Sequence, residues 1–386
     1  LAIFAFLSKM HQLENSDNTN NIREWLTALL NNDRPFVVYR LPDESVVRGF
    51  DVGEVERIDL TRFTPNTYSE AFLVAPFHLS NGAFILRPIG NIKSISLSGK
   101  KVDLAESEGS LLEMVGARKA YSQSFTIAHQ ALKSGEADKV VLARQMEVPK
   151  VSADMLPHVF ETLCQLYPKA FVYFFVHPLL GRWMGASPEI FLHKDDYNFN
   201  TVALAATRSG ERCDDDWNSK ELEEQGFVAQ FIEEKLKDFG VSQFTKDGPR
   251  PISAGQVVHL RTHYHFRSQH ISNNVGPFLE VLHPTPAVGG YPKEAALEVI
   301  GRAETFDRAF YSGFLGPVQH SAFQFFVNIR CMELVNGKAV LYLGGGLTRE
   351  SGEESEWEET RLKAQTLWSV INSVKQNIRN ELYNLR

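Results

Sequence analysis

The segment Ser351 to Ile371, SGEESEWEETRLKAQTLWSVI, places charge where a core wants none. Wound at about 3.6 residues per turn, it sets Glu356, Thr360, Lys363, Leu367, Val370 and Ile371 on one stripe, with Glu359 at its edge. Glu354 and Glu358 point the other way. The stripe ends in large apolar residues, so it should pack inward. A second segment, KELEEQGFVAQFIEEKL, repeats the pattern: Glu221, Glu224, Val228, Phe231 and Ile232 share a stripe, while Glu223 and Glu234 face away. Buried charge is costly unless it is paired, hydrogen-bonded or bound to a metal. Any fold of this chain must therefore bring compensating groups to the starts of two distant helices.

Two accounts compete. Asn218 with Glu221, and Ser355 with Glu358, fit capping boxes, and acids near a helix N-terminus are stabilised by its dipole. That covers Glu221 and Glu358 but not the inward placement of Glu224, Glu356 and Glu359. The alternative is one shared hard cation. Carboxylates with few soft ligands suit Mg²⁺, which often takes one or two carboxylates plus an oxyanion of the substrate.

The rest of the chain limits what surrounds these helices. With 386 residues and 43% hydrophobic content, the core can be large. A net charge of -7, with no basic run, argues against a nucleic-acid surface. Cys164, Cys213 and Cys331 are widely spaced and odd in number, unlike a disulfide framework or a zinc site. The apolar start LAIFAFL is too short to span a bilayer and lacks a basic flank and a cleavage site. The expectation is a soluble cytoplasmic protein with no membrane partner.

Helices are expected over IREWLTALL, 117–134, 155–166, 218–238, KEAALEVIGRAE and the final acidic segment. Strand-like runs are PFVVYRL, AFLVAPF, AFILRPI, KVVLARQMEV, GQVVHLRTHYHF, FYSGFLGPV, FQFFVNIRCMEL and KAVLYLGGG, with a hairpin formed by AFVYFFV and RWMGASPEIFLH. The stretch TRSGERCDDD reads as a loop. Strands broken by helices without strict alternation imply an α+β fold with largely antiparallel sheets. No dinucleotide or P-loop glycine pattern follows a strand.

Several residues stand out singly. Lys139 enters an apolar strand, where a lysine either loses its water and becomes available as a base or sits at a solvated strand end. Glu189 lies in an apolar hairpin strand, where an acid either keeps its proton, as a general acid requires, or points outward. His259, Arg261, His263 and His265 share one strand face. Residues two apart on a strand rarely converge on one ion, and no cysteine is near, so zinc is not favoured. Arg330 in an apolar strand implies a carboxylate partner, from protein or ligand. Gly344, Gly345 and Gly346 permit close backbone approach or a tight strand exit.

Taken in order, KVVLAR, GASPEIFL, LAATRSGER, KELEEQ, VVHLRT, LHPTPAVGG, FYSGFLG, FVNIR, GGG and EWEETRLKA resemble the chorismate-utilising enzymes over roughly residues 115 to 380. The resemblance implies one large α+β domain, two stacked antiparallel sheets flanked by helices, with an active site in a central cleft. Residues 1–114 would form a variable N-terminal part and 115–380 the chorismate-binding region. Carried across, Glu224 and Glu359 match Mg²⁺ ligands, with Glu221 and Glu356 as their partners. Arg330 and Lys363 match groups that bind the substrate's side-chain carboxylate, with Tyr311 beside them. Gly344, Ala206 and Thr207 match backbone and hydroxyl contacts, His259 a cleft histidine, and Ala287 and Val288 a pocket wall. One departure is Ala206, where many members have glycine; a positive φ there would be strained.

Lys139 discriminates among members of the family. Members that use water as nucleophile carry lysine at this place, while ammonia users lack it and work with a glutaminase partner. The resemblance therefore implies conversion of chorismate to isochorismate, with Lys139 as base, Glu189 as acid, Mg²⁺ as cofactor and no glutaminase subunit. Menaquinone synthesis is the expected pathway, and a catechol siderophore the other. A salicylate synthase shares Lys139 and Glu189 and then eliminates pyruvate; anthranilate or aminodeoxychorismate synthesis is a further alternative. A cation-binding structural protein is the non-enzymatic one.

Overall fold

The computed structural model describes residues 21–97, 115–209, 216–254 and 257–384. The start LAIFAFL, Cys213 and most of the TRSGERCDDD stretch lie outside the described residues. From the N-terminus come α1 (Ile22–Asn31), β1 (Phe36–Arg40), β2 (Val46–Ile58), β3 (Glu70–Ala75), β4 (Ala83–Pro88) and β5 (Lys93–Ser96). Next are α2 (Ala117–Ser134), β6 (Lys139–Val148), α3 (Leu156–Leu166), β7 (Phe171–His177), β8 (Gly181–Ser187), β9 (Ile190–Asp195) and β10 (Asn198–Ser209). They are followed by α4 (Ser219–Asp238), β11 (Phe244–Ala254), β12 (Val257–Arg267), α5 (Gln269–Asn273) and α6 (Val275–Leu282). The chain continues through β13 (Gly290–Tyr291), α7 (Lys293–Ala303), β14 (Phe314–Gln319), β15 (Ala322–Val327), β16 (Cys331–Val335), β17 (Lys338–Leu347) and α8 (Glu353–Asn384).

Two antiparallel layers result. One runs β5-β2-β1-β7-β8-β16-β17-β6-β13. The other runs β11-β12-β10-β9-β15-β14-β3-β4. Strand β2 pairs with β1 through its first half and with β4 through its second, so the layers form one hydrogen-bonded network. Their facing surfaces are filled by aromatic rings: Phe171 of β7 stacks on Phe326 of β15 at 4.2 Å, and Tyr39 of β1 meets Phe72 of β3 at 5.6 Å. The outer face of the first layer is covered by α1, α3 and α8, and that of the second by α4 and α6. The fold is α+β, as the mixture of strand and helix signals implied.

Two strands read as continuous are in fact broken. RWMGASPEIFLH divides into β8 and β9 at Pro188 and Glu189, and FQFFVNIRCMEL divides into β15 and β16 at residues 328–330. At each break the chain leaves one layer for the other. Pro188 has no N–H to continue a ladder, and Arg330 turns the chain with φ 51. Asn328 fixes the second break, accepting from Tyr173 Oη at 2.6 Å and donating to Phe310 O at 2.8 Å. The breaks are neighbours: Val327 N–H donates to Glu189 O at 3.0 Å, and Ala186 N–H to Arg330 O at 3.0 Å. Residues 207–209, read as part of a loop, instead complete β10.

Candidate active site

A cleft opens beside these two crossovers. It is lined by Glu189, Ala206, Thr207, Glu224, His259, Ala287, Val288, Tyr311, Arg330, Gly344 and Lys363 among the residues the sequence singled out. Lys139, Glu221, Glu356 and Glu359 are not part of that lining; Lys139 meets the lining residue Glu224, and Glu359 meets Lys363.

Glu189 belongs to the break rather than to a strand, and it is 3% exposed. The outward-pointing alternative is thereby excluded. Burial pushes its carboxyl up to about 8, against the pull of Lys139 and Lys363, so the group keeps its proton at neutral pH. Lys139 opens β6 with 0% of its side chain exposed, which excludes the solvated strand end. Its ammonium lies 3.1 Å from Glu224 Oε1, close enough for an ion pair but outside hydrogen-bond geometry.

Each inward acid has its own cation. Glu224 has Lys139, Glu356 has Lys220, Glu221 has Arg208, and Glu359 accepts from Lys363 Nζ at 2.7 Å. Glu221 is further engaged by the expected capping box, accepting from Asn218 N–H at 2.9 Å. The second expected cap does not form. Helix α8 begins at Glu353, so Ser355 already lies within its first turn. Its hydroxyl donates to Gly352 O at 2.8 Å, while Glu358 pairs with Arg361 at the surface. Lys220 and Arg208 were not foreseen. Lys220 did carry a signal, since a cation in the first turn of a helix opposes the dipole and needs an acid.

The glycine run of β17 exists for close approach of side chains. A Cβ at Gly344 would collide with Tyr311 Oη, and one at Gly346 with Glu224 Oε1. Lys363 Nζ donates to Gly344 O at 2.8 Å. Arg330 reaches Lys363 O at 3.0 Å and Thr366 Oγ1 at 3.2 Å. Among the described residues it has no ion pair, although burial has lowered its pKa only to about 10, so it stays charged.

Strand β10 bulges at Ala206, where pairing jumps from Ala205–Leu260 to Thr207–His259. Ala206 takes φ 56, the strained conformation anticipated for a non-glycine residue. His259 Nδ1 is 3.2 Å from Ala206 O and 3.1 Å from Thr207 Oγ1. A carbonyl oxygen only accepts, so Nδ1 carries the proton and Nε2 is left bare, buried and unpartnered. Burial lowers the imidazole to about 3, so it is neutral.

Among the described residues no three His, Cys, Asp or Glu side chains stand close enough to hold a metal as they are. Two observations nevertheless suit a hard cation. Glu356 Oε2 is buried without a hydrogen-bond partner. Burial, with Glu359 alongside, raises the Glu356 carboxyl to about 7, as expected of acids that lack enough positive charge. A wider surface groove, about 670 Å³, lies between α1 and the β7–β8 and β16–β17 turns. None of its lining side chains has a buried polar atom lacking a partner, so chemistry favours the crossover cleft despite the latter's 60 Å³.

Residues 88–372 match the family model described as chorismate binding enzyme. Isochorismate synthase EntC of Escherichia coli K12 is 30% identical over 250 residues, 61% of this chain and 63% of the relative. The vibriobactin-specific isochorismate synthase of Vibrio cholerae is 29% identical over 242 residues, 59% of this chain and 60% of the relative. The chain thus spans less than two thirds of either relative's length. The menaquinone-specific isochorismate synthase MenF of Escherichia coli has the same fold, with a TM-score of 0.70 at 21% identity over 92% of each chain. Among the described residues no helix is long and apolar enough to cross a membrane.

Proposed function

The chain belongs to the chorismate-binding enzymes, and from that premise we propose that it converts chorismate to isochorismate. The observation that supports the proposal is a buried, protonated acid lining the cleft, Glu189, together with a buried lysine, Lys139, set against the cleft-lining Glu224. Water adds to ring carbon C2 while the hydroxyl at C4 leaves and the double bonds shift. Lys139, in its uncharged form, takes the proton from the attacking water. Glu189 gives its proton to the departing hydroxyl, which leaves as water, so one water enters and one departs. Arg330 and Lys363 grip the side-chain carboxylate through charge-assisted bonds. Thr207, the Ala206 N–H and the bare Nε2 of His259 offer polar contacts to ring substituents. Ala287 and Val288 press on the ring. The cleft encloses about 60 Å³ as it stands, so a ring-sized ligand requires lining side chains to open.

The acids fit Mg²⁺. Glu224 and Glu359 would hold it directly, with Glu356 beside them, and Glu221 already serves its cap and Arg208. Bound there, the ion would supply positive charge to the ring carboxylate and draw electron density from the ring. Cytoplasmic action without a glutaminase subunit belongs to the same reading. The relatives include both a menaquinone-specific and a vibriobactin-specific enzyme, so the proposal stops at isochorismate.

The test is chromatography of products from enzyme, chorismate and Mg²⁺, with a matched reaction in chelator. Isochorismate is expected only with the metal; salicylate or anthranilate as main product would overturn the reading. Melting with Mg²⁺ and chorismate together should raise the midpoint, as any ligand of the native state does.

A further inference from the structure

Strand β6 begins with Lys139, and its inner edge is paired with β17 from Val140 to Val148. Its outer edge is covered only briefly. β13 pairs with Lys139 and Val140, and Val141 N–H donates to Gly289 O at 2.9 Å. There the chain that supplied β13 turns away, and the next edge groups, Val141 C=O and Ala143 N–H, have no strand to meet.

Two side chains take the place of that strand. Ala143 N–H donates to Glu304 Oε1 at 2.7 Å, and Arg308 Nη2 donates to Val141 O at 2.7 Å. Arg308 Nε donates to Glu304 Oε2 at 2.8 Å, and the side chains are 1% and 3% exposed. The remaining arm of the guanidinium, Nη1, donates to Val288 O at 2.8 Å. Arg308 O also accepts from Tyr311 N–H at 2.8 Å. Val141, Val288 and Tyr311 all line the cleft.

Stability alone is a poor reason for such a pair, because apolar residues of similar volume often replace a buried ion pair without loss. Here they would strand three backbone groups. The rigid planar fork of arginine is what allows one side chain to hold Val141 O and Val288 O at a fixed spacing. We propose that Glu304 and Arg308 are positioning residues: without touching the substrate, they set the separation of the Val141 and Val288 walls and hence the fit of the ring. This rests on the chorismate reading given above.

Arg308→Lys keeps the charge but offers one ammonium in place of the fork. Its chorismate KM should rise at least tenfold while kcat stays within threefold. The Ala143 amide should exchange with deuterium at least tenfold faster. A merely structural role would instead lower kcat with the folded fraction and leave KM unchanged, and that result would overturn the proposal. Should Arg308→Lys fail to fold, Glu304→Gln, which removes the charge that holds Arg308, is judged by the same KM criterion. Wild-type enzyme assayed in parallel separates the two ideas. No wild-type turnover would sink the functional reading and this inference with it; a competent wild type with unchanged KM in the variant would sink this inference alone.

Discussion

The two sides of the cleft bury the same chemical group by opposite means. At the β8–β9 crossover the Glu189 carboxyl forms no ion pair with any described residue, and burial keeps it protonated. Near the start of α4, Glu221 and Glu224, and near the start of α8, Glu356 and Glu359, are each set against their own lysine or arginine. Environment, not residue type, decides whether an acid is neutralised by a proton or by a cation. On the proposed reading the first device would give a proton donor, and the second a set of carboxylates at which a divalent ion would take the place of the paired cations. The second also sets a lysine at the mouth of β6.

The sharpest way to break this contrast is Lys139→Ala, which removes the cation from one side and the base from the reaction. Turnover should fall by about 10²- to 10⁴-fold, the usual share of a general base, while the far-ultraviolet circular dichroism stays native. A rate near wild type would deny Lys139 its role, and the chemistry would have to be drawn without it.

The proton on the other side is tested by pH. Glu189 must be protonated to act as an acid, and its pKa is raised to about 8. Hence kcat should decline above about pH 8, approaching tenfold per unit. For stability the sign is the same. The folded pKa lies above the ordinary value of 4.5, so the contribution of the neutral carboxyl is complete below about 4.5 and lost as pH rises through about 8. Glu189→Gln, always neutral, should flatten that loss. A denaturation midpoint with the same pH slope in both proteins would show that Glu189 is not the buried proton carrier.

Much of this arrangement could be read from sequence. Helix α2 spans the expected 117–134, and α4 differs from expectation by one residue at its start. Periodicity within one segment was enough for those. It was also enough to mark Glu224, Glu356 and Glu359 as charges on apolar faces. What could not be read is what depends on a distant partner. β2, β10 and β11 carry polar residues or glycine within their runs and become strands because neighbours pair with them. The break at Glu189 is marked in the sequence only by Pro188, and the one at Arg330 carries no local mark, since apolar residues flank both and the ladder ends where the chain changes layer. The cation at Glu356 comes from Lys220, and that at Glu221 from Arg208 across a stretch of chain with no helical spacing to predict it.

The smallest effect concerns backbone rather than charge, and it asks whether the cleft holds strain as well as unusual ionisation. Ala206 is the extra residue of the β10 bulge, buried, at φ 56. The left-handed region costs an L-residue about 1–2 kcal/mol, whereas glycine adopts it freely but brings about 0.5–1 kcal/mol of unfolded-state entropy. The balance for Ala206→Gly is a gain of roughly 0.5 kcal/mol, at most ~1.5, visible as a small rise in the denaturant midpoint at unchanged slope. Turnover should hold within about twofold, because the N–H and the carbonyl that fixes His259 are both retained. A destabilised Ala206→Gly would mean that the methyl group contributes more in packing than it costs in torsion. A large loss of turnover would mean that this stiffness, not the donor it presents, is what the ring requires.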